Sequence, residues 1–152
     1  MLVHTLLEDK PDRIITTTET TTIDQVMDLL IDNKIGCLPV VSSDGTLVGI
    51  VSDKDIFKTI HKTRGDYHSL QVSELMTTKL VVGVPDDDVS YAAGLMSKNW
   101  IRHLPIMDGE KIVGMISMRD ILKSQMQNAE IENRYLNMYM DSLHRRDKSG
   151  DV

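Results

Sequence analysis

Two heptapeptides in this sequence have the residue types and spacing to hold an anion and a sugar. They are Gly49-Ile50-Val51-Ser52-Asp53-Lys54-Asp55 and Gly114-Met115-Ile116-Ser117-Met118-Arg119-Asp120. Each follows an apolar, strand-like run and opens a helix-like one. At such a junction the first backbone N–H groups of the helix are unpaired and the positive end of its dipole faces outward, a combination that attracts phosphate. Ser52 and Ser117 add hydroxyl donors. Asp55 and Asp120, one turn in, present carboxylates able to accept two hydrogen bonds from a ribose diol, and Lys54 and Arg119 bring positive charge beside them. The leading glycine lets another group approach the backbone closely. The same Ser-x-x-Asp pattern is also a capping box that only starts a helix. The sequence around the two copies has to decide between these readings.

The elements that would position these residues form an internal repeat. Residues 14–58 lie over residues 80–123, offset by 66 positions before an Asp-Gly turn and by 65 after it. Leu38-Pro39 falls on Leu104-Pro105, Val48-Gly49 on Val113-Gly114, and Ser52 with Asp55-Ile56 on Ser117 with Asp120-Ile121. Each unit begins with a short β-rich segment, Ile14–Thr17 or Leu80–Gly83. A helix follows, with apolar residues at i, i+3, i+4 and i+7: Ile23, Val26, Met27, Leu30, and Val89, Ala92, Ala93, Met96. Thr22 and Gln25 make a capping box for the first, and Asp86-Asp87-Asp88 places negative charge at the start of the second. Two apolar strands come next, Cys37–Val41 with Leu47–Val51, and His103–Met107 with Lys111–Ile116, and then a second helix. The unit is therefore β-α-β-β-α, twice.

A unit of about 45 residues is marginal alone. The two halves are accordingly expected to pack their apolar faces together, leaving two related clefts. Residues 62–76 read as a polar linker, most flexible at Thr63–Asp66. Val72–Met76 leads into the second unit, and His4–Leu7 has the corresponding place before the first. From Met126 to Leu143 helical spacing continues through Ile131, Tyr135 and Met138, which predicts a long terminal helix with His144-Arg145-Arg146 near its C-terminal dipole and a frayed end over 147–152.

Composition bounds the function. The chain has 152 residues and a formal charge of −6, with 41% hydrophobic and 26% charged residues. That is an ordinary globular balance, and it lacks the basic excess of a nonspecific nucleic-acid binder. No apolar run approaches the ~20 residues of a membrane span and no signal-peptide pattern opens the chain, so a cytoplasmic setting is expected. Cys37 is the only cysteine, and the histidines show no metal spacing. Cys37 sits in an apolar strand with no base spaced to activate it. His61 and His68 are expected in solvent, His103 at a cleft rim, and Trp100 half-buried at a helix end. The methionines read as core filler.

On these residues the chain resembles a tandem CBS-domain pair, the module named for cystathionine β-synthase. The resemblance rests on the β-α-β-β-α order, the Ile35–Val41 strand with its Leu-Pro-Val-Val, the doubled Gly-x-x-Ser-x-x-Asp turn and the Val72–Met76 lead-in. It implies an α+β fold of two repeats related by pseudo-two-fold symmetry with a C-terminal helical extension. Residues 1–66 would be the first repeat with its lead-in, 67–125 the second with the linker, and 126–152 the helical tail. It also implies a non-catalytic regulatory module that binds adenosine-containing nucleotides such as AMP, ADP, ATP or NAD between the repeats, with no cofactor required. It implies a homodimer, an unidentified effector protein as a further partner, and neither nucleic acid nor membrane. Carried onto this sequence, one cleft would set Asp120 on the ribose and Ser117 with Arg119 toward phosphate, with Ile15, Ile35 and Gly36 bordering the base. The other would use Asp55, Ser52 and Lys54, facing Val81, Ile101, Arg102 and His103. Gly36 and Cys37 stand where the second repeat has Arg102 and His103, so the clefts are not equivalent. Lys10, Arg13 and Lys79 are weaker phosphate candidates. The competing reading is a structural dimerisation or interaction module whose sites are vestigial. An enzyme is disfavoured because no nucleophile–base pair is present.

Overall fold

The computed structural model describes residues 1–11 and 13–148. A short helix, α1 (Val3–Glu8), precedes the first half, which comprises β1 (Thr17–Thr18), α2 (Ile23–Asn33), β2 (Cys37–Val41), β3 (Leu47–Ser52) and α3 (Asp53–Thr63). A 3₁₀ turn at Val72–Glu74 leads into α4 (Val89–Lys98), β4 (His103–Asp108), β5 (Lys111–Ser117) and α5 (Met118–Lys148). The predicted end of the chain beyond Lys148 lies outside the described residues.

Local chemistry explains the boundaries. Thr22 and Gln25 form the reciprocal capping box that starts α2, and Asp88 caps α4 by accepting from the Ser90 amide. Lys34 and Trp100 end the two equivalent helices in left-handed backbone, with φ of 54° and 56°. Gly45 and Gly109 hold positive φ in the two hairpin turns. The hairpins match in register: Cys37 faces Ser52 across β2–β3 and His103 faces Ser117 across β4–β5.

The leading strand differs between the halves. In the first, Thr17 and Thr18 pair in parallel with Val40 and Val41, three residues later than the start of the predicted β-rich segment. In the second only one bridge forms, between Gly83 and Ile106. A Cβ at Gly83 would lie 3.0 Å from both the Ile106 and Leu104 side chains, so glycine is what lets this segment close on the sheet.

The halves do not share a single core, contrary to the expectation that their apolar faces pack together. One core is built from Ile23, Val26, Leu30, Leu38, Val40, Val51 and Ile56, and it includes Val72 from the linker. The other contains Ala92, Met96, Leu104, Ile106, Ile116 and Ile121, and it includes Val3 and Leu6 from α1. Each lead-in thus docks on the half it does not precede. The docking is equivalent in detail: Val3 N donates to Asp87 O and His4 N to Pro85 O, as Val72 N donates to Thr21 O and Ser73 N to Glu19 O. The linker is also tied down more than a flexible segment would be. His68 is exposed, as expected, and bonds Asp24 at 2.8 Å, while Tyr67 bonds the same carboxylate at 3.2 Å.

Candidate functional site

Two clefts open where the halves meet. The larger is a cavity of about 1090 Å³ and the smaller one of about 270 Å³. Ile15, Ile35, Gly36, Ser117, Arg119 and Asp120 all line the larger. Ser52, Lys54, Asp55, Val81 and Ile101 line the smaller. Arg102 and His103, expected only in the second group, line both and, with Cys37, form the wall between them.

The motif geometry is the same in both halves apart from a hydroxyl–carboxylate bond made only by Ser52 and one further difference. Asp55 Oδ2 accepts from Ser52 N at 2.9 Å and from Ser52 Oγ at 3.0 Å. Asp120 Oδ2 accepts from Ser117 N at 2.7 Å, and Ser117 Oγ accepts from Asp120 N at 3.1 Å. Both motifs are therefore capping boxes as well as cleft residues. The further difference is Lys10, which reaches across to Asp120 Oδ2 at 2.7 Å and to Met115 O at 2.7 Å. Burial pushes the Asp120 carboxyl upward, but the Lys10 hydrogen bond, the Ser117 amide and the Lys10 charge outweigh it and hold the group below its ordinary value. The group is therefore an anion at neutral pH, and its contacts with Ser117 N and Lys10 both fall on Oδ2. Lys10 was only a weak phosphate candidate in the sequence. Its role was legible in one place: Leu7 and Lys10 occupy the positions in the first lead-in that Met76 and Lys79 occupy in the second.

The motif glycines serve this docking. A Cβ on Gly114 would sit 2.5 Å from Leu7 Cδ2, and one on Gly49 would sit 2.6 Å from Met76 Sδ. What approaches the backbone closely is an apolar side chain of a lead-in, not a ligand. At Gly36 a Cβ would meet Asp53 Oδ2 at 3.4 Å and His103 Cε1 at 3.5 Å, so this position narrows the shared wall.

The larger cleft also gathers Arg13, Lys34 and Arg102, and its sides include Ile14, Pro39, Met115 and Met118. Lys34 and Ile14 were not singled out as site residues because neither lies in a motif, and Met118 was passed over because it fills an unspecified position of the second motif. Arg102 Nη2 bonds Asp53 Oδ1 at 3.3 Å, with both groups more than half exposed. Burial, then the neighbouring Arg102 charge, lower the His103 pKa from its ordinary value, so the ring is neutral at pH 7. Burial pushes the Cys37 thiol up to about 12, which keeps it protonated and unreactive. Among the described residues no group of three or more His, Cys, Asp or Glu side chains is placed to hold a metal ion. Nor is any helix long and apolar enough to cross a membrane. Trp100, expected half-buried, is 94% exposed at the rim of the smaller cleft. Its left-handed backbone at the end of α4 turns the ring outward.

Known proteins share this arrangement. The sequence pattern of the CBS domain matches residues 11–62 and again 72–127. The CBS domain-containing protein YhcV of Bacillus subtilis is 32% identical over 133 residues, covering 87% of this chain and 93% of that protein. The CBS domain pair of protein MJ0100, solved in complex with 5-methylthioadenosine and S-adenosyl-L-methionine, superposes with a TM-score of 0.73 at 30% identity, covering 86% of this chain and 98% of that one. CBSX2 in complex with AMP superposes with a TM-score of 0.70 at 25% identity, covering 84% of this chain and 98% of that one. Some relatives are much longer enzymes, homoserine O-acetyltransferases, of which the chain spans 24%.

Proposed function

The chain belongs to the CBS-domain family, as a tandem pair, and from that premise we propose that it is a non-catalytic regulatory module whose larger cleft binds an adenosine-containing nucleotide of the AMP, ADP, ATP or NAD class. One observation carries the reading: a cavity of about 1090 Å³ joins an ionised Asp120 to a cationic rim of Lys10, Arg13, Lys34, Arg102 and Arg119. A volume of roughly 300–1,000 Å³ is usual for small-molecule sites. A carboxylate for a ribose diol, cations for phosphate and the apolar Ile15 and Ile35 for a flat base are the complement of a mononucleotide. That solved relatives hold AMP, 5-methylthioadenosine and S-adenosyl-L-methionine supports the same ligand class.

Binding shifts a conformational equilibrium through differential affinity for two states. A nucleotide spanning Asp120 of the second half and Ile15 and Ile35 of the first favours whichever approach of the halves brings both walls into contact with it. Through Lys10, a ligand that takes up Asp120 also acts on α1. The protein works as a homodimer in the cytoplasm, and it relays the ligand state to an effector protein.

For the smaller cleft the structural reading is favoured. Its volume of about 270 Å³ is small for a nucleotide, and the reciprocal Ser52–Asp55 box accounts for both residues. Thermal unfolding with AMP, ATP and NAD tests the proposal. Ligand at 100 times Kd adds about 2.7 kcal/mol, which is about 5–10 °C in a chain of this size. Absence of a shift with every adenosine compound would leave the structural interaction module as the reading.

A further inference from the structure

The CBS pattern ends at residue 127, but α5 continues to Lys148. The extra 21 residues extend the helix by roughly 32 Å, and apart from Ser124 its side chains from Leu122 to Arg145 are exposed. Most helical stability in proteins comes from packing an apolar face rather than from propensity. Such a face exists. Met126, Ala129, Asn133, Leu136, Met140 and Leu143 recur at alternating spacings of three and four, the period of a two-stranded coiled coil. Met126, Leu136 and Met140 are each at least half exposed.

We propose that this face pairs with the same face of a second copy of the chain, in parallel and in register. Asn133 selects this occupant. In the heptad, Ala129, Leu136 and Leu143 take the d positions, and Met126, Asn133 and Met140 take the a positions. A parallel, in-register pair sets Asn133 against Asn133, and each amide donates to the other's carbonyl. An antiparallel pair, or an apolar groove on another protein, sets it against hydrocarbon and leaves it unsatisfied. A single polar residue at an a position is a known means of fixing register. Flanking charges agree: parallel pairing places Gln125 opposite Glu130, Glu132 opposite Asn137 and Tyr139 opposite His144, with no like charges facing. The seam is about 26 Å long and one helix wide, roughly 10 Å. That area is below the ~800 Å² per partner of a standard interface, so the tail pair is a weak contact that responds to concentration.

Cysteine cross-linking in the full chain tests the pairing, since native Cys37 is buried. Under mild oxidation Asn133→Cys and Met126→Cys each give disulfide-linked dimer, whereas Ile131→Cys, on the opposite side of the helix, and the wild type do not. In sedimentation, Leu136→Lys shifts the association constant at least tenfold toward monomer without moving the thermal midpoint of the CBS body. Equal cross-linking at Ile131 and Asn133, no cross-linking at Asn133, or sedimentation unchanged by Leu136→Lys would each overturn the proposal. So would a trimer or tetramer, which would use Ile131, Tyr135 and Met138 as a second seam. Nucleotide binding is read separately by thermal shift, so failure here leaves the cleft reading untouched.

Discussion

Asp120→Asn separates the two roles the structure gives this residue. Asparagine keeps an oxygen able to accept from the Ser117 amide at the start of α5, but it removes the charge that meets Lys10. The Lys10–Asp120 contact is 2.7 Å, with the two side chains about a third exposed, at 34% and 28%. A partly solvated pair of this kind contributes about 0–1 kcal/mol, so the midpoint should fall by at most about 4 °C. Ligand affinity should fall much further. Hydrogen bonds from a ribose to a charged acceptor are worth about 1.5–3 kcal/mol, which is about 10- to 150-fold in Kd. Isothermal titration of wild type, Asp120→Asn and Asp55→Asn with AMP is the assay, with a melt of each protein as the control for folding. The pH dependence follows the same logic. Because the folded Asp120 pKa is held down, its contribution is complete above the unfolded value near 3.9 and is lost as pH falls through the folded value. Asp120→Asn should therefore weaken the acid limb of the stability profile. If Asp120→Asn binds AMP as tightly as wild type while melting within 4 °C of it, the carboxylate caps a helix and holds no ribose.

Three further outcomes follow from the packing. Gly114→Ala should destabilise by about 1–3 kcal/mol, because its Cβ meets Leu7 at 2.5 Å. Gly94→Ala, inside α4 with open space around it, should instead stabilise by about 0.5–1 kcal/mol; chemical denaturation of both variants checks the opposite signs. Trp100 is the only tryptophan and is 94% exposed beside the smaller cleft, so its fluorescence should stay constant while AMP fills the larger cleft, and a strong quench would show the smaller cleft occupied. Cys37, with its thiol at about 12, should be about one part in ten thousand thiolate at pH 8. A thiol reagent should thus label it only as fast as the protein unfolds, and rapid labelling of the native state would contradict the buried placement.

The repeat, the helices with their caps and the paired strands were legible in the sequence because each is a local matter. Thr22 and Gln25 satisfy amides three residues away, and the apolar spacing of Ile23 to Leu30 fixes a face regardless of what covers it. The cleft residues in the two motifs were legible for the same reason, since a strand end, a serine and an aspartate one turn on are neighbours along the chain. The missing second leading strand was less visible. Gly83 stands where the first half has Thr17, and only the sheet it joins shows that a single bridge forms there.

Long-range partners were decided by the tertiary structure. Nothing local to Val3 and Leu6 says that they complete the core of the distant half, or that Val72 completes the near one, because burial depends on which surface lies opposite. The same exchange brings Lys10 to Asp120, 110 positions away, a charge contact that Asp55 in the matching motif does not have among the described residues. Sequence by itself fixed the parts and their duplication through interactions a few residues in range. Which part seals which, and hence which cleft has room for a ligand, depended on contacts between segments that meet only when the chain has folded.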